Sequence, residues 1–318
     1  MVNLVLFLLG LLLLTAGGEA LIRGSLAAAK RFGVSPLLSG LVIVGFGTSM
    51  PELVVSVNAA IDGQPDIAIG NVVGSNIGNI LLILGVCALI TPLTVTPLAL
   101  RRDAITVIVA SLLFITLVGG SALGRIDALV FLVCLAAYLG WAYFTERQHS
   151  VPSAALHQSE AESVTAVPTT LRWIFGALLI GLALLIVGSQ VVLKGAIGMA
   201  QHFGIPESVV GLTLVAVGTS LPELSISVIA AVKKQADVAV GNILGSNIFN
   251  LLGILGISAA LQPLPVPARV LNFDQWVMLG TALLLFAFLY TGRRLNRIEG
   301  AGLLMGYGLY VWFSFSLI

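Results

Sequence analysis

Glu52 and Glu223 each follow a proline directly, inside segments that are otherwise almost wholly apolar. The two stretches read GFGTSMPELVVS (45–56) and AVGTSLPELSIS (216–227). The first sets Thr48, Ser49 and Pro51 before its acid, and the second sets Thr219, Ser220 and Pro222. Proline lacks an N–H and clashes with the carbonyl four residues back, here that of Gly47 or Gly218. Each segment must therefore kink and release backbone oxygens. Freed carbonyls, two hydroxyls and a carboxylate are hard oxygen ligands, which suit calcium and sodium rather than zinc or copper. An ionised carboxylate in hydrocarbon is costly and persists only with compensation. No Lys, Arg or His lies in 36–60 or 207–231. A transported cation or a proton can supply the compensation; a buried protonated acid is the plainer alternative.

A second motif follows each acid: GNVVGSNIGN (70–79) and GNILGSNIFN (241–250). Ser75 and Asn79 are four apart, so they share one helix face, as do Ser246 and Asn250. Gly70–Gly74 and Gly241–Gly245 have the spacing that lets helix backbones approach closely. Asn71, Asn76, Asn242 and Asn247 suit hydrogen bonds between helices. All four stretches obey one offset of 171 residues, and 40–85 aligned without a gap to 211–256 gives 27 identities in 46 positions. The chain is a duplicated unit.

The elements that carry these motifs must live in a bilayer. Hydrophobic residues make up 58% of the 318 and charged residues 9%, against about 25% charged in a soluble domain. That excludes a soluble enzyme, and a net charge of +1 implies no nucleic-acid partner. The two cysteines, Cys87 and Cys134, lie in separate apolar runs and make neither a disulfide framework nor a zinc spacing. A spanning helix needs roughly 20 apolar residues. Ten runs qualify: 2–22, 36–60, 66–91, 103–121, 126–144, 171–193, 207–231, 237–262, 273–291 and 299–318. The leading run has no Lys or Arg before it and has a counterpart at 171–193, so it reads as a retained helix rather than a signal peptide. Residues 145–170 are polar and carry His149 and His157; they read as a cytoplasmic linker between halves 1–144 and 171–318. His202 reads as a surface histidine.

Five helices per half is an odd number, so the second half enters the membrane from the opposite side. The predicted fold class is an all-α membrane protein of ten transmembrane helices in two inverted five-helix repeats. With both termini outside, 12 of the 15 Lys and Arg fall on inside loops, leaving Arg125, Lys194 and Arg269 outside. That matches the positive-inside rule. Broken helices at equivalent places in inverted repeats point to a transporter's central site.

The doubled GTSxPE and GSNxxN motifs resemble the two α-repeats of the calcium/cation antiporter superfamily, and within it the bacterial and archaeal sodium/calcium exchangers. The close motif match covers about 90 residues and the helix arrangement the whole chain. The resemblance implies a central bundle of helices 2, 3, 7 and 8 crossed by slanted helices 1 and 6, with sodium entering as calcium leaves. It implies calcium ligands at Glu52, Glu223 and the backbone oxygens of Thr48 and Thr219. Sodium sites would add Ser49, Ser220, Ser75, Ser246 and the carbonyls of Gly45 and Ala216, with Asn79 and Asn250 lining the middle. Some members carry Asp at the position of Asn250, as potassium-dependent exchangers do. Asn250 thus leans against potassium dependence and leaves two carboxylates, enough for one Ca²⁺ or two Na⁺. The expected partners are calcium and sodium ions and the lipid bilayer of a prokaryotic plasma (inner) membrane, with no cofactor and a monomer as the working unit.

Three further expectations concern weaker signals. Glu19 and Arg23 pair at i,i+4 on helix 1. Asp66 and Asp237 recur at helix starts, where N-terminal capping suffices to explain them and an ion-entry role is the alternative. Gly10, Gly17, Gly18, Gly176, Gly181 and Gly188 give helices 1 and 6 smooth surfaces on which to slide against the central four. H⁺/Ca²⁺ exchange is the rival within antiport. A cation channel shares the ligand chemistry but is usually built from symmetric subunits. An intramembrane hydrolase lacks any His or Cys near either motif.

Overall fold

A computed structural model of the chain describes residues 2–33, 36–95, 97, 99–120, 122–148, 168, 170–202 and 219–316. Almost all of this is helix: α1 (Val2–Phe32), α2a (Gly40–Thr48) and α2b (Met50–Ile61), α3 (Pro65–Ile90), α4 (Ile105–Leu117), α5 (Arg125–Gln148), α6 (Leu171–His202), α7 (Leu221–Val232), α8 (Ala236–Leu261), α9 (Val270–Gly292) and α10 (Arg297–Ser316). Six are long and apolar enough to cross a membrane, or seven if α2a and α2b form one bent span. Most of the expected linker, with His149 and His157, and the first part of the 207–231 segment, with Ala216, lie outside the described residues.

Burial ranks the helices. In α8, 89% of the apolar window is buried, and in α3 67%, against 22% in α5 and 33% in α1. Thus α3 and α8 are central, while α5 turns side chains such as Ile126, Leu129 and Trp141 outward. Outward apolar side chains are what a lipid solvent calls for.

Two helices overrun their expected ends. α1 continues to Phe32 and α6 to His202. A helix of 31 residues is about 46 Å long, more than the hydrocarbon core is thick, so its charged last turn with Lys30 and Arg31 can reach beyond it. α1 and α6 meet through glycine at backbone distance. A Cβ on Gly17 would lie 2.8 Å from the Gly181 carbonyl oxygen, and one on Gly181 2.7 Å from the Leu21 nitrogen. Gly10 and Gly188 face the same seam. These four glycines therefore lock α1 to α6 instead of smoothing a surface toward the central helices; only Gly18 faces α7, at Ile229.

The all-α expectation needs one addition. Two antiparallel strand pairs join the halves: β1 (Leu93–Thr94) with β4 (Arg294–Leu295), and β2 (Ala122–Leu123) with β3 (Leu264–Pro265). Each strand is a loop end of two residues, too short to leave an alternating pattern in the sequence.

Asp66 does not cap its helix. Gln64 holds the cap position of α3, with Pro65 and Asp66 in the first turn. Gln235 and Asp237 repeat this in α8. The acids sit where the positive end of the helix dipole favours them.

Candidate functional site

The helix breaks after Thr48, and α2a meets α2b at 48°. Ser49 adopts φ −79°, ψ 9°, and Ser220 before α7 adopts φ −87°, ψ 8°. Pro51 and Pro222 follow two residues later, at helix positions where a missing N–H costs nothing. Ser49 and Ser220 hold N-cap positions, where a serine usually bonds its own helix. Here neither does. Each hydroxyl crosses to the other half: Ser49 Oγ donates to Glu223 Oε1 at 3.0 Å, and Ser220 Oγ to Glu52 Oε1 at 3.2 Å. Both acids lie in the first turn of their helix, where the dipole favours negative charge.

The second motif supports this pair from behind, again twice. Asn71 Nδ2 donates to the Glu52 carbonyl at 3.2 Å and to Ser56 Oγ at 2.9 Å. Asn242 Nδ2 donates to the Glu223 carbonyl at 3.2 Å and to Ser227 Oγ at 2.9 Å. Thr48 Oγ1 donates to Asn242 Oδ1 at 3.2 Å. Asn79 Nδ2 donates to Asn247 Oδ1 at 2.9 Å, and Asn250 Nδ2 to Asn76 Oδ1 at 3.3 Å. Asn71, Asn76, Asn242 and Asn247 thus join helices, as their types suggest.

Four oxygens are left over, in two equivalent pairs. Among the described residues, Glu52 Oε2, Glu223 Oε2, Asn79 Oδ1 and Asn250 Oδ1 are buried without a hydrogen-bond partner. Both carboxylates and both asparagines are 1% exposed. An unsatisfied buried acceptor is costly, and an unpaired carboxylate more so. Among the described residues no Lys, Arg or His pairs with either acid.

Close backbone approach lets α2a reach α8. Gly40–Gly45 is a π-helical turn, and a Cβ on Gly245 would overlap the Leu41 carbonyl. The Gly45 carbonyl accepts Ser49 N at 3.2 Å, Thr48 Oγ1 at 3.3 Å and Ser246 Oγ at 3.0 Å. π-turns begin at Asn79 in α3 and at Phe249 in α8, and such turns are frequent at functional sites. Ser75 is buried on α3 one helical turn before Asn79. Thr219 is half-buried beside Ser220.

Several polar contacts escape a reading of the sequence alone. Asp103 is fully buried, paired with Arg102 and accepting Tyr138 OH at 2.8 Å. Asp274 pairs with Arg269 at 3.1 Å and accepts Tyr310 OH at 3.1 Å. Each cluster fastens an outer helix, α5 or α10, to its neighbour. A signal for them does exist, since 171 residues separate Asp103 from Asp274. Arg102, counted above on an inside loop, is 1% exposed and paired. Phe46 stacks on Phe249 at 4.4 Å, joining α2a to α8; the duplication puts Val217 and Gly78 at the equivalent positions. Glu19 accepts Arg23 at 2.6 Å as expected, and also Lys233.

Residues 2–144 and 173–316 match the family model described as sodium/calcium exchanger protein. A putative antiporter, CaxA of Alkalimonas amylolytica, is 37% identical over 319 residues, 99% of each chain. The sodium/calcium exchanger MaX1 of Methanosarcina acetivorans is 33% identical over 337 residues, 96% of each. Among solved structures, the sodium-calcium exchanger NCX_Mj superposes with a TM-score of 0.82 at 31% identity, covering 97% of each chain.

Proposed function

Since the chain belongs to the sodium/calcium exchanger protein family, we propose that it is a secondary antiporter that takes in sodium and exports calcium by alternating access at the site between α2, α3, α7 and α8. The observation that carries this is the set of four unpartnered buried oxygens on Glu52, Glu223, Asn79 and Asn250. Calcium takes six to eight oxygen ligands. Glu52 and Glu223, with the backbone oxygens of Thr48 and Thr219, would hold it. Ser49, Ser220, Ser75, Ser246 and the carbonyls of Gly45 and Ala216 would serve sodium. The two carboxylates balance one Ca²⁺ or two Na⁺, and Asn250 keeps the site free of a third acid.

Ten spans in two inverted halves, 1–144 and 171–318 about a cytoplasmic linker, suit this activity. The strand pairs favour the inversion. β1 and β3 are equivalent under the 171-residue offset, yet β1 pairs with β4 and β3 with β2. α4 runs between β1 and β2. If α4 crosses the bilayer, the equivalent strands lie at opposite faces. Charge placement favours both termini outside an inner membrane. The working unit proposed is a monomer.

Calcium uptake by vesicles of the purified protein tests the reading. Uptake should follow an imposed sodium gradient. Uptake driven by a pH gradient instead would make the protein an H⁺/Ca²⁺ exchanger, and calcium flux with neither gradient would make it a channel.

A further inference from the structure

The two halves match in sequence around the site but not in how their outer ends are closed. The C-terminal end of α7 is covered by α1: Gly18 faces Ile229, Ile226 is fully buried, and Lys233 donates to Glu19, which also holds Arg23. Among the described residues the equivalent end of α2b has no such cover from α6. Val55 and Asn58 stand where α7 has Ile226 and Ile229; Val55 is half-buried and Asn58 exposed. Under the same offset, Glu19, Arg23 and Lys233 correspond to Gln190, Lys194 and Asp62. The signs are exchanged: α1 brings an acid to a base, and α6 brings a base to an acid. Asp62 and Lys194 are exposed, and among the described residues neither has an ion-pair partner. The turns that carry the partners are alike, with Gly63 at φ 69° and Lys234 at φ 58°.

We propose that Glu19–Lys233 is a latch that holds the site closed at the α7 end, and that Lys194 and Asp62 form its counterpart at the α2b end when access alternates. Rocking of repeats about a fixed site exchanges the environments of the two halves. Because α1 and α6 are locked by glycine, they move as one body, and closing one latch opens the other. The ratio of the two states is then set by two surface ion pairs. This rests on the alternating-access reading above.

The test measures the half-saturating calcium concentration at each membrane face, using wild type and variants in oriented vesicles. Removing the closed latch, by Lys233→Gln or by Glu19→Gln, should populate the state open at the α7 end. Half-saturation should fall at that face and rise at the other, so that the ratio between the two faces changes about two- to fivefold, the range expected for an exposed ion pair. Lys233→Arg should behave as wild type. Asp62→Asn and Lys194→Gln should both shift the ratio the opposite way. Mere steering of calcium by bare charge would move the acid and base variants of one pair in opposite directions, and that result would overturn the latch. So would unchanged half-saturation in all four. Wild-type protein that exchanges calcium with neither sodium nor protons would instead overturn the functional reading, and the latch with it.

Discussion

Glu52→Gln isolates charge from shape. Gln keeps an oxygen to accept Ser220 Oγ, which lies 3.2 Å from Glu52 Oε1, so the crossed contact between halves survives. What disappears is one of two negative charges. With calcium bound, the pair of acids and the ion sum to zero; in the variant the buried site carries one uncompensated positive charge. Two unit charges 4 Å apart at an effective dielectric of 20 interact by about 4 kcal/mol. A divalent ion doubles that, and calcium sits closer than 4 Å to its ligands. If relaxation returns half, about 4 kcal/mol remains, which is about a thousandfold in affinity. The assay is sodium-driven calcium uptake in vesicles, with calcium binding to the purified protein measured alongside. Glu223→Gln should match it, because the contacts of the two acids are reciprocal. Uptake by either variant within tenfold of wild type would refute the assignment of these carboxylates to the ion.

Gly245→Ala should lower the melting temperature of the purified protein, because its methyl would meet the Leu41 carbonyl; overpacking of this kind costs about 1–3 kcal/mol. Gly280→Ala, where nothing lies within 4 Å, should leave melting unchanged. A cross-link between α1 and α6 should leave exchange working and one between α1 and α2a should stop it, read as calcium uptake before and after the link forms; the reverse pattern would rule out joint movement of α1 and α6. Asn250→Asp adds a third acid beside Glu52 and Glu223, so calcium uptake should become sensitive to potassium; identical uptake with and without potassium would mean that Asn250 does not face the ions.

The sequence is most informative where chemistry repeats. A proline before an acid at two places 171 residues apart locates both helix breaks, because a missing N–H acts locally and needs no partner. Hydropathy likewise locates most helices, since each must bury its own backbone bonds in lipid. Helix ends are less legible: α1 and α6 run on past their apolar stretches, because an established helix propagates through polar residues at one backbone bond per residue. Which glycines serve which interface is not legible at all. Gly17 and Gly181 are alike in sequence to Gly18, yet two face each other and the third faces Ile229, a matter of helix rotation that only packing fixes. The same holds for Ser49. Sequence spacing sets its hydroxyl near Glu52, three residues on, but the bond goes to Glu223, because a kinked helix points its cap residue away from its own first turn and toward the other half. Residue types, spacing and duplication are covalent facts that a single chain carries. The crossing of Ser49 to Glu223 and Ser220 to Glu52, and the closure of α1 over α7 but not of α6 over α2b, were decided by tertiary structure, since each depends on the relative placement of segments more than 100 residues apart.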